Sequence, residues 1–274
     1  MTTGEPTEKY ETSGLDMGAT IEWYRNSDIE LPRDHANLEN PIENGDLIEL
    51  TEAELGGLFF LFPENARRRS ILRKIVGRSA TYFDRDSTGD KPITTNDAKR
   101  ALSPTAIVPS HIDYTPWTES GTPAADIFLC QIPEDIPEKV RRIIISEGFV
   151  HEVGHSIVQP AIFVEEYNLR FPDGRIVSGF DAILQFAEMA ENHSPISRYA
   201  STYRGENNKF ESDQPGYNVN TAISEEMCET IAAYLLGFAY CGIDERSKNP
   251  FADRPEIKDF IRYFLNAELV KKQT

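Results

Sequence analysis

One segment, from Ser146 to Ser156, restricts what this chain can fold into more than any other. It reads Ser-Glu-Gly-Phe-Val-His-Glu-Val-Gly-His-Ser, so that His151 and His155 are four residues apart and Glu152 follows the first of them. Pro137 suits the start of a helix, and the apolar residues after it recur with helical spacing, which predicts one helix that ends near Pro160. On that helix both imidazoles project from one face, a turn apart.

Two neutral imidazoles at this separation supply half of a tetrahedral zinc site. A glutamate directly after the first histidine is placed to take a proton from water at such a site. We therefore interpret His151 and His155 as ligands of one catalytic Zn²⁺ ion and Glu152 as a general base. This is the chemistry of a zinc peptidase.

A catalytic zinc site needs a third protein ligand. A histidine six residues after His155 is excluded, because that position is Ala161. A downstream aspartate is conceivable, and Asp173 and Asp181 are the candidates. The remaining solution is a glutamate on a second helix.

A strong helix is predicted from Ser224 to Tyr240, and it favours the glutamate solution. Glu225 and Glu229 share one of its faces, although apolar residues cover most of the others. Carboxylates on an interior face require a cation or hydrogen-bond donors. We predict that Glu225 binds the metal and that Glu229 accepts a hydrogen bond from a liganding histidine, with Glu226 as the alternative ligand.

Four consecutive motifs resemble those of a known family. They are His151-Glu-x-x-His155, a helix from Phe180 to Glu191, Ser197-Arg-Tyr199-Ala-Ser-Thr202, and Glu225-Glu-Met-Cys-Glu229. Over roughly residues 140 to 270 the chain resembles the catalytic domain of the anthrax-lethal-factor-like and Pro-Pro endopeptidase family, within the gluzincins. In that family the third motif has glycine where this chain has Ala200, and the fourth has an aromatic residue and alanine where this chain has Met227 and Cys228.

The resemblance implies a zinc endopeptidase that acts on a peptide or protein substrate. It makes Tyr199 the phenol that stabilises the oxyanion, with Tyr203 or Tyr217 as alternatives because a polar insertion, residues 204 to 220, follows. It also implies that His151, His155 and Glu225 are the zinc ligands, that Glu152 is the general base and that Glu229 is the acid that supports a liganding histidine. Two other functions stay open: a catalytically silent zincin that binds or senses a protein, and a zinc hydrolase of a non-peptide amide.

The remaining elements predict an α+β, zincin-like fold. A capping box at Thr51 and Glu54 begins a short helix, and a second helix from 64 to 77 carries five cations that pair with local carboxylates. Short strands are expected at 80–83, 106–108 and 126–132. The run 127–132 is either the sheet edge that borders the cleft or an ordinary core strand. A turn at 171–175 and a closing helix from about 254 to 269 follow.

This pattern describes a small mixed sheet whose edge strand lies over the active-site helix, followed by a mostly helical C-terminal lobe. We expect an acidic, extended or partly disordered segment over 1–50 and a catalytic domain over 51–274. The catalytic domain divides into an N-terminal lobe, 51–160, and a C-terminal lobe, 161–274.

Composition and termini restrict the partners and the compartment. The formal net charge of -17 argues against binding to nucleic acid or anionic membranes. No apolar run approaches the roughly 20 residues of a membrane span. The acidic N-terminus lacks the features of a signal peptide, and three scattered cysteines suit a reducing compartment, so a cytoplasmic location is predicted. Nothing in the sequence indicates an oligomeric state.

Overall fold

The computed structural model describes residues 10–12, 42–43, 45–78, 110–114, 125–132, 136–164, 166–210, 219–242, 245–247 and 249–272. These residues form a mixed structure of helices and small sheets. The α-helices are α1 (Glu52–Phe59), α2 (Glu64–Arg69), α3 (Glu138–Phe163), α4 (Gly179–Ala190), α5 (Val219–Leu236) and α6 (Pro255–Asn266). The strands are β1 (Tyr10–Thr12), β2 (Ile42–Glu43), β3 (Leu72–Arg78), β4 (Ser110–Tyr114), β5 (Ala125–Cys130), β6 (Asn168–Arg170), β7 (Ile176–Ser178), β8 (Ala239–Gly242), β9 (Glu245–Ser247) and β10 (Glu268–Lys272). Among these helices, none combines the length and the apolar character that crossing a bilayer requires.

The first sheet is mixed, as predicted, in the order β2-β3-β5-β4. Strand β3 pairs in parallel with β2 and β5, and β4 pairs antiparallel with β5. Of the two roles expected for 127–132, the sheet edge is wrong and the core strand is confirmed, because β5 has a partner on each side and all its residues are buried. A continuous apolar run is typical of such a central strand. Within the described residues, β4 pairs on one side only.

The predicted helix over 64–77 is confirmed in its first half and wrong in its second half. Helix α2 ends at Arg69, and the rest of that segment is strand β3. The β-branched Ile75 and Val76 are buried between β2 and β5, where tertiary pairing outweighs local helix preference. As predicted, cations of this segment pair with carboxylates: Arg73 makes two hydrogen bonds to Asp126, at 2.8 and 2.6 Å.

Arg69 is a cation of the same segment that has a different partner. It is buried and donates to the main-chain carbonyl of Phe264 at 2.5 Å. That carbonyl lies in the last turn of α6, the negative end of the helix dipole. Arg69 therefore ties the first half of the chain to its closing helix.

Helix α3 is the predicted motif helix, but it continues past Pro160 to Phe163. Pro160 has no N–H, so the carbonyl of Ser156 lacks the helical hydrogen bond that residue 160 would otherwise donate. The N–H of Ile71 donates to that carbonyl at 3.1 Å, and the Ser70 and Ser156 hydroxyls lie 2.6 Å apart. The residues that lead into β3 thus satisfy the group that Pro160 leaves unpaired, and the helix is not interrupted.

Several predicted elements are confirmed, and two helices end earlier than predicted. The capping box at Thr51, the turn before β7 and helix α4 are confirmed. Helix α5 ends earlier than predicted, at Leu236, because Gly237 adopts a φ of 78° that stops the helix. Helix α6 also ends early, since the chain enters β10, which pairs with β6 and β1. The strands predicted at 80–83 and 106–108 lie outside the described residues.

The described residues share one hydrophobic core that joins both predicted lobes. It includes Phe149 of α3, Ile127 of β5, Ile231 of α5 and Phe264 of α6. Every residue of α3 from Gly148 to Ala161 is buried. The two histidines therefore lie within a buried stretch of α3.

Close backbone packing at Gly179 gives a test of this arrangement. A Cβ atom at Gly179 would lie 2.6 Å from the carbonyl oxygen and 2.7 Å from the Cα of Ala161. We expect Gly179→Ala to lower the free energy of unfolding by about 1–3 kcal/mol, because the clash is with backbone that has to shift. Gly57→Ala is the control, since no atom lies within 4 Å of its Cβ position. Helix propensity predicts that the control gains about 0.5–1 kcal/mol. Equal urea midpoints for the two variants would contradict the packing described.

Candidate metal centre

Helices α3 and α5 approach each other closely at Gly154 and Cys228. A Cβ atom at Gly154 would lie 3.4 Å from both the Cβ and the Sγ of Cys228. A methyl group there would be in van der Waals contact with Cys228, so only small groups separate the two helices at this point. The imidazoles of α3 and the carboxylates of Glu225 and Glu229 on α5 face each other beside this contact.

Three side-chain atoms converge where the helices meet. Nε2 of His151 and Nε2 of His155 lie 3.0 Å apart. Oε2 of Glu225 lies 3.3 Å from the first nitrogen and 3.4 Å from the second. Among the described residues, these three form the group of histidine, cysteine and acidic side chains that is arranged to hold a metal ion.

The separations fit a tetrahedral zinc ion. Ligand bonds of about 2.0–2.1 Å at tetrahedral angles place the ligand atoms about 3.3 Å from one another. The observed distances of 3.0, 3.3 and 3.4 Å surround that value. Two imidazoles and one carboxylate are also a ligand set found in catalytic zinc sites. The residues present therefore fit the ion that the sequence predicts.

Neighbouring acceptors orient both imidazoles with Nε2 toward the centre. Nδ1 of His151 lies 2.9 Å from Oε1 of Glu229. Nδ1 of His155 lies 3.1 Å from Oγ of Ser224, which also accepts from Gln159 at 3.1 Å. We assign the ring protons to Nδ1, which leaves both Nε2 lone pairs directed at the centre.

Ser224 and Gln159 were missed by the sequence analysis. Gln159 follows His155 by four residues and so shares its helix face, which is a signal that the sequence does contain. Ser224 precedes Glu225 on α5, and only the packing of the two helices brings its hydroxyl to His155.

The charges at the site stabilise the Glu225 carboxylate as an anion and favour positive charge beside it. Burial acts to raise the pKa of Glu225, but His155 and His151 outweigh it and hold that pKa far below its usual value. Burial acts to lower the pKa of His151, but Glu225 and Glu229 outweigh it and raise that pKa well above its usual value. The acids around the imidazoles thus attract positive charge to the place where the ligand atoms converge.

Glu152 lies beside the imidazoles, buried, with a partner on strand β4. Its Oε1 accepts a hydrogen bond from Oγ of Ser110 in β4 at 2.9 Å. Burial raises the pKa of Glu152, while the two histidines oppose that rise. The sequence analysis missed Ser110, because no strand was predicted there and only sheet formation brings it to α3.

Tyr199 lies at the open side of the same cluster. Its hydroxyl donates to Oε2 of Glu225 at 3.3 Å, and its ring centroid is 6.0 Å from that of His151. Tyr199 is 37% exposed, whereas His155 is 3% exposed. Of the two alternatives, Tyr203 contacts Tyr199, and Tyr217 lies outside the described residues.

The structure brings Glu225, and not Glu226, to the imidazoles. Glu226 is turned away and forms two hydrogen bonds with Arg204, at 2.5 and 2.7 Å. The aspartate alternatives are also elsewhere: Asp173 pairs with Arg175 in an exposed turn, and Asp181 is exposed at the start of α4.

The Arg204–Glu226 pair predicts a large loss of stability when it is broken. Both side chains are 3% exposed. Arg204→Met leaves the Glu226 carboxylate buried without its cation, so we expect the free energy of unfolding to fall by about 3–5 kcal/mol. Lys209→Met is the control, because Lys209 is largely exposed and pairs with Glu191 at the surface. Its loss should stay below about 1 kcal/mol. Similar urea denaturation curves for the two variants would show that the buried pair does not stabilise the fold.

Comparisons with protein-family models, curated proteins and solved structures found no match to this chain.

Proposed function

We propose that this chain is a zinc-dependent endopeptidase of the gluzincin type, with a zincin-like fold, that hydrolyses peptide bonds in peptide or protein substrates. The proposal rests on one observation: Nε2 of His151, Nε2 of His155 and Oε2 of Glu225 converge at separations of 3.0–3.4 Å. Three protein ligands leave a fourth position for water or substrate, as catalytic zinc sites require.

The residues around this centre have complementary tasks. His151, His155 and Glu225 would hold the zinc ion, with Glu229 and Ser224 orienting the two imidazoles. A bound zinc ion would polarise the scissile carbonyl and lower the pKa of a zinc-bound water molecule to about 7.

Glu152 is the general base of the proposed reaction. It takes the proton of the attacking water and passes it to the leaving amine nitrogen. Its burial raises its pKa, which suits a group that must both accept and release a proton near neutral pH. Ser110 donates to Oε1 of Glu152 and restrains the carboxylate. This hydrogen bond thereby sets the direction of the other oxygen, Oε2.

The edge strand and Tyr199 complete the proposed cleft. Strand β4 pairs only with β5 within the described residues, and an extended substrate would add to it as a further strand. Ser110 connects this strand to Glu152, which would place the scissile bond beside the base. Tyr199, exposed at the opening, would donate a hydrogen bond to the developing oxyanion.

Chelation tests the proposal directly. The purified chain is incubated with a diverse peptide mixture, with and without a zinc chelator, and new N-termini are identified by mass spectrometry. We expect cleavage that stops with the chelator and returns when zinc is added. Zinc binding without any new terminus would support the catalytically silent alternative, and release of amines from non-peptide amides alone would support the other hydrolase.

A further inference from the structure

A second phenol lies behind Tyr199. The hydroxyls of Tyr199 and Tyr203 are 2.7 Å apart, and their rings meet edge to face with centroids 5.3 Å apart. Tyr199 is 37% exposed, whereas Tyr203 is 5% exposed. The outer phenol is therefore supported from inside the protein by the inner one.

The hydrogen bonds around Tyr199 define the direction of the hydroxyl contact. A phenol has one proton to donate and lone pairs that accept. Tyr199 donates to Oε2 of Glu225 at 3.3 Å, so its proton is not available to Tyr203. Either hydroxyl could donate in the 2.7 Å contact by distance alone. With the proton of Tyr199 assigned to Glu225, we assign Tyr203 as the donor and the oxygen of Tyr199 as the acceptor.

The position of Tyr203 is well supported. It ends the 3-10 turn Ala200–Tyr203, whose first N–H is bonded to Oγ of Ser197 at 3.0 Å. The next residue is Arg204, which is held by Glu226 of α5 through two hydrogen bonds. Through its neighbour Arg204, Tyr203 is therefore held next to α5, the helix that carries Glu225.

We propose that Tyr203 is a positioning residue for the reaction: it donates to the oxygen of Tyr199 and thereby directs the single proton of Tyr199 toward the metal centre. This inference rests on the proposed function. Because the Tyr199 oxygen is occupied on its inner side, its proton points outward, toward Oε2 of Glu225 or toward a substrate oxygen beside it. Donation to that oxygen also polarises the Tyr199 hydroxyl and makes it a stronger donor.

A double-mutant cycle tests the link. Tyr199→Phe should lower kcat by about 10²–10³-fold, as loss of an oxyanion donor does. Tyr203→Phe should lower kcat by about tenfold with KM unchanged, which is the effect of one ordinary hydrogen bond. In the Tyr199→Phe background, Tyr203→Phe should have no further effect, because its target is gone. Equal effects in both backgrounds, or no effect in either, would overturn the proposal.

A spectroscopic readout separates this inference from the proposed function. With ¹³Cζ-labelled tyrosine, the Cζ chemical shift of Tyr199 in the metal-free protein should differ between the wild type and Tyr203→Phe. It should stay in place in Tyr263→Phe, a control on α6 outside the metal centre. If the wild-type chain cleaves no peptide, the proposed function fails and the NMR shift alone decides whether Tyr203 orients Tyr199. A Tyr199 resonance that does not move in Tyr203→Phe would overturn the inference.

Discussion

Glu152→Gln is expected to lower kcat for peptide hydrolysis by about 10²–10⁴-fold, while the chain still binds zinc. The amide keeps the shape of the carboxylate and can still accept from Ser110, but it cannot take a proton from water. The metal ligands are left intact, because Glu152 does not belong to the group formed by His151, His155 and Glu225.

The measurement pairs steady-state kinetics on an identified peptide with zinc analysis of the dialysed protein. Glu188→Gln is the matched control, since Glu188 is exposed on α4 and the same chemical change there should leave kcat unaltered. Undiminished hydrolysis by the Glu152 variant would remove this residue from the role of base. Loss of zinc together with activity would instead mean that Glu152 helps to hold the ion.

The second large effect is expected at Glu225. Glu225→Gln should weaken zinc binding by more than about 100-fold, because the change removes one of three ligands. Glu229→Gln should weaken binding less, by about 10–100-fold, since Glu229 only orients His151. Competition with a chromophoric chelator measures both affinities.

The neighbouring Glu226 is the control for the Glu225 prediction. Glu226→Gln alters the buried pair with Arg204, so it should lower the free energy of unfolding and leave zinc affinity nearly unchanged. If the Glu226 variant loses zinc and the Glu225 variant keeps it, the ligand assignment is reversed. These two adjacent glutamates thus separate metal binding from stability.

Much of the site was predictable because its information is local. His151, Glu152 and His155 lie on a single helix, where a spacing of four residues alone places the imidazoles together. The capping box at Thr51 and helix α4 were predictable for the same reason. Glu225 and Glu229 could be selected because carboxylates on an otherwise buried helix face require partners.

Contacts between distant segments were not predictable in this way. By sequence alone, Glu226 stayed open as a ligand. The choice depends on Arg204, which lies in another segment and forms two hydrogen bonds with Glu226. Residues 127–132 could be the sheet edge or a core strand by sequence alone, and pairing with β4 makes them central. The sequence analysis ended the motif helix at Pro160, although Ile71 supplies the N–H that the helix lacks there.

By itself, then, the sequence determined which helix presents the imidazoles and which face of a second helix carries acids, because helical periodicity links residues only a few positions apart. The tertiary structure decided which acid meets those imidazoles and which strand borders Glu152. Those choices depend on the packing of α3 against α5 and β4, which joins residues 69 and 42 positions apart in the chain. No local pattern encodes such contacts, since each depends on how whole elements pack to bury a shared core.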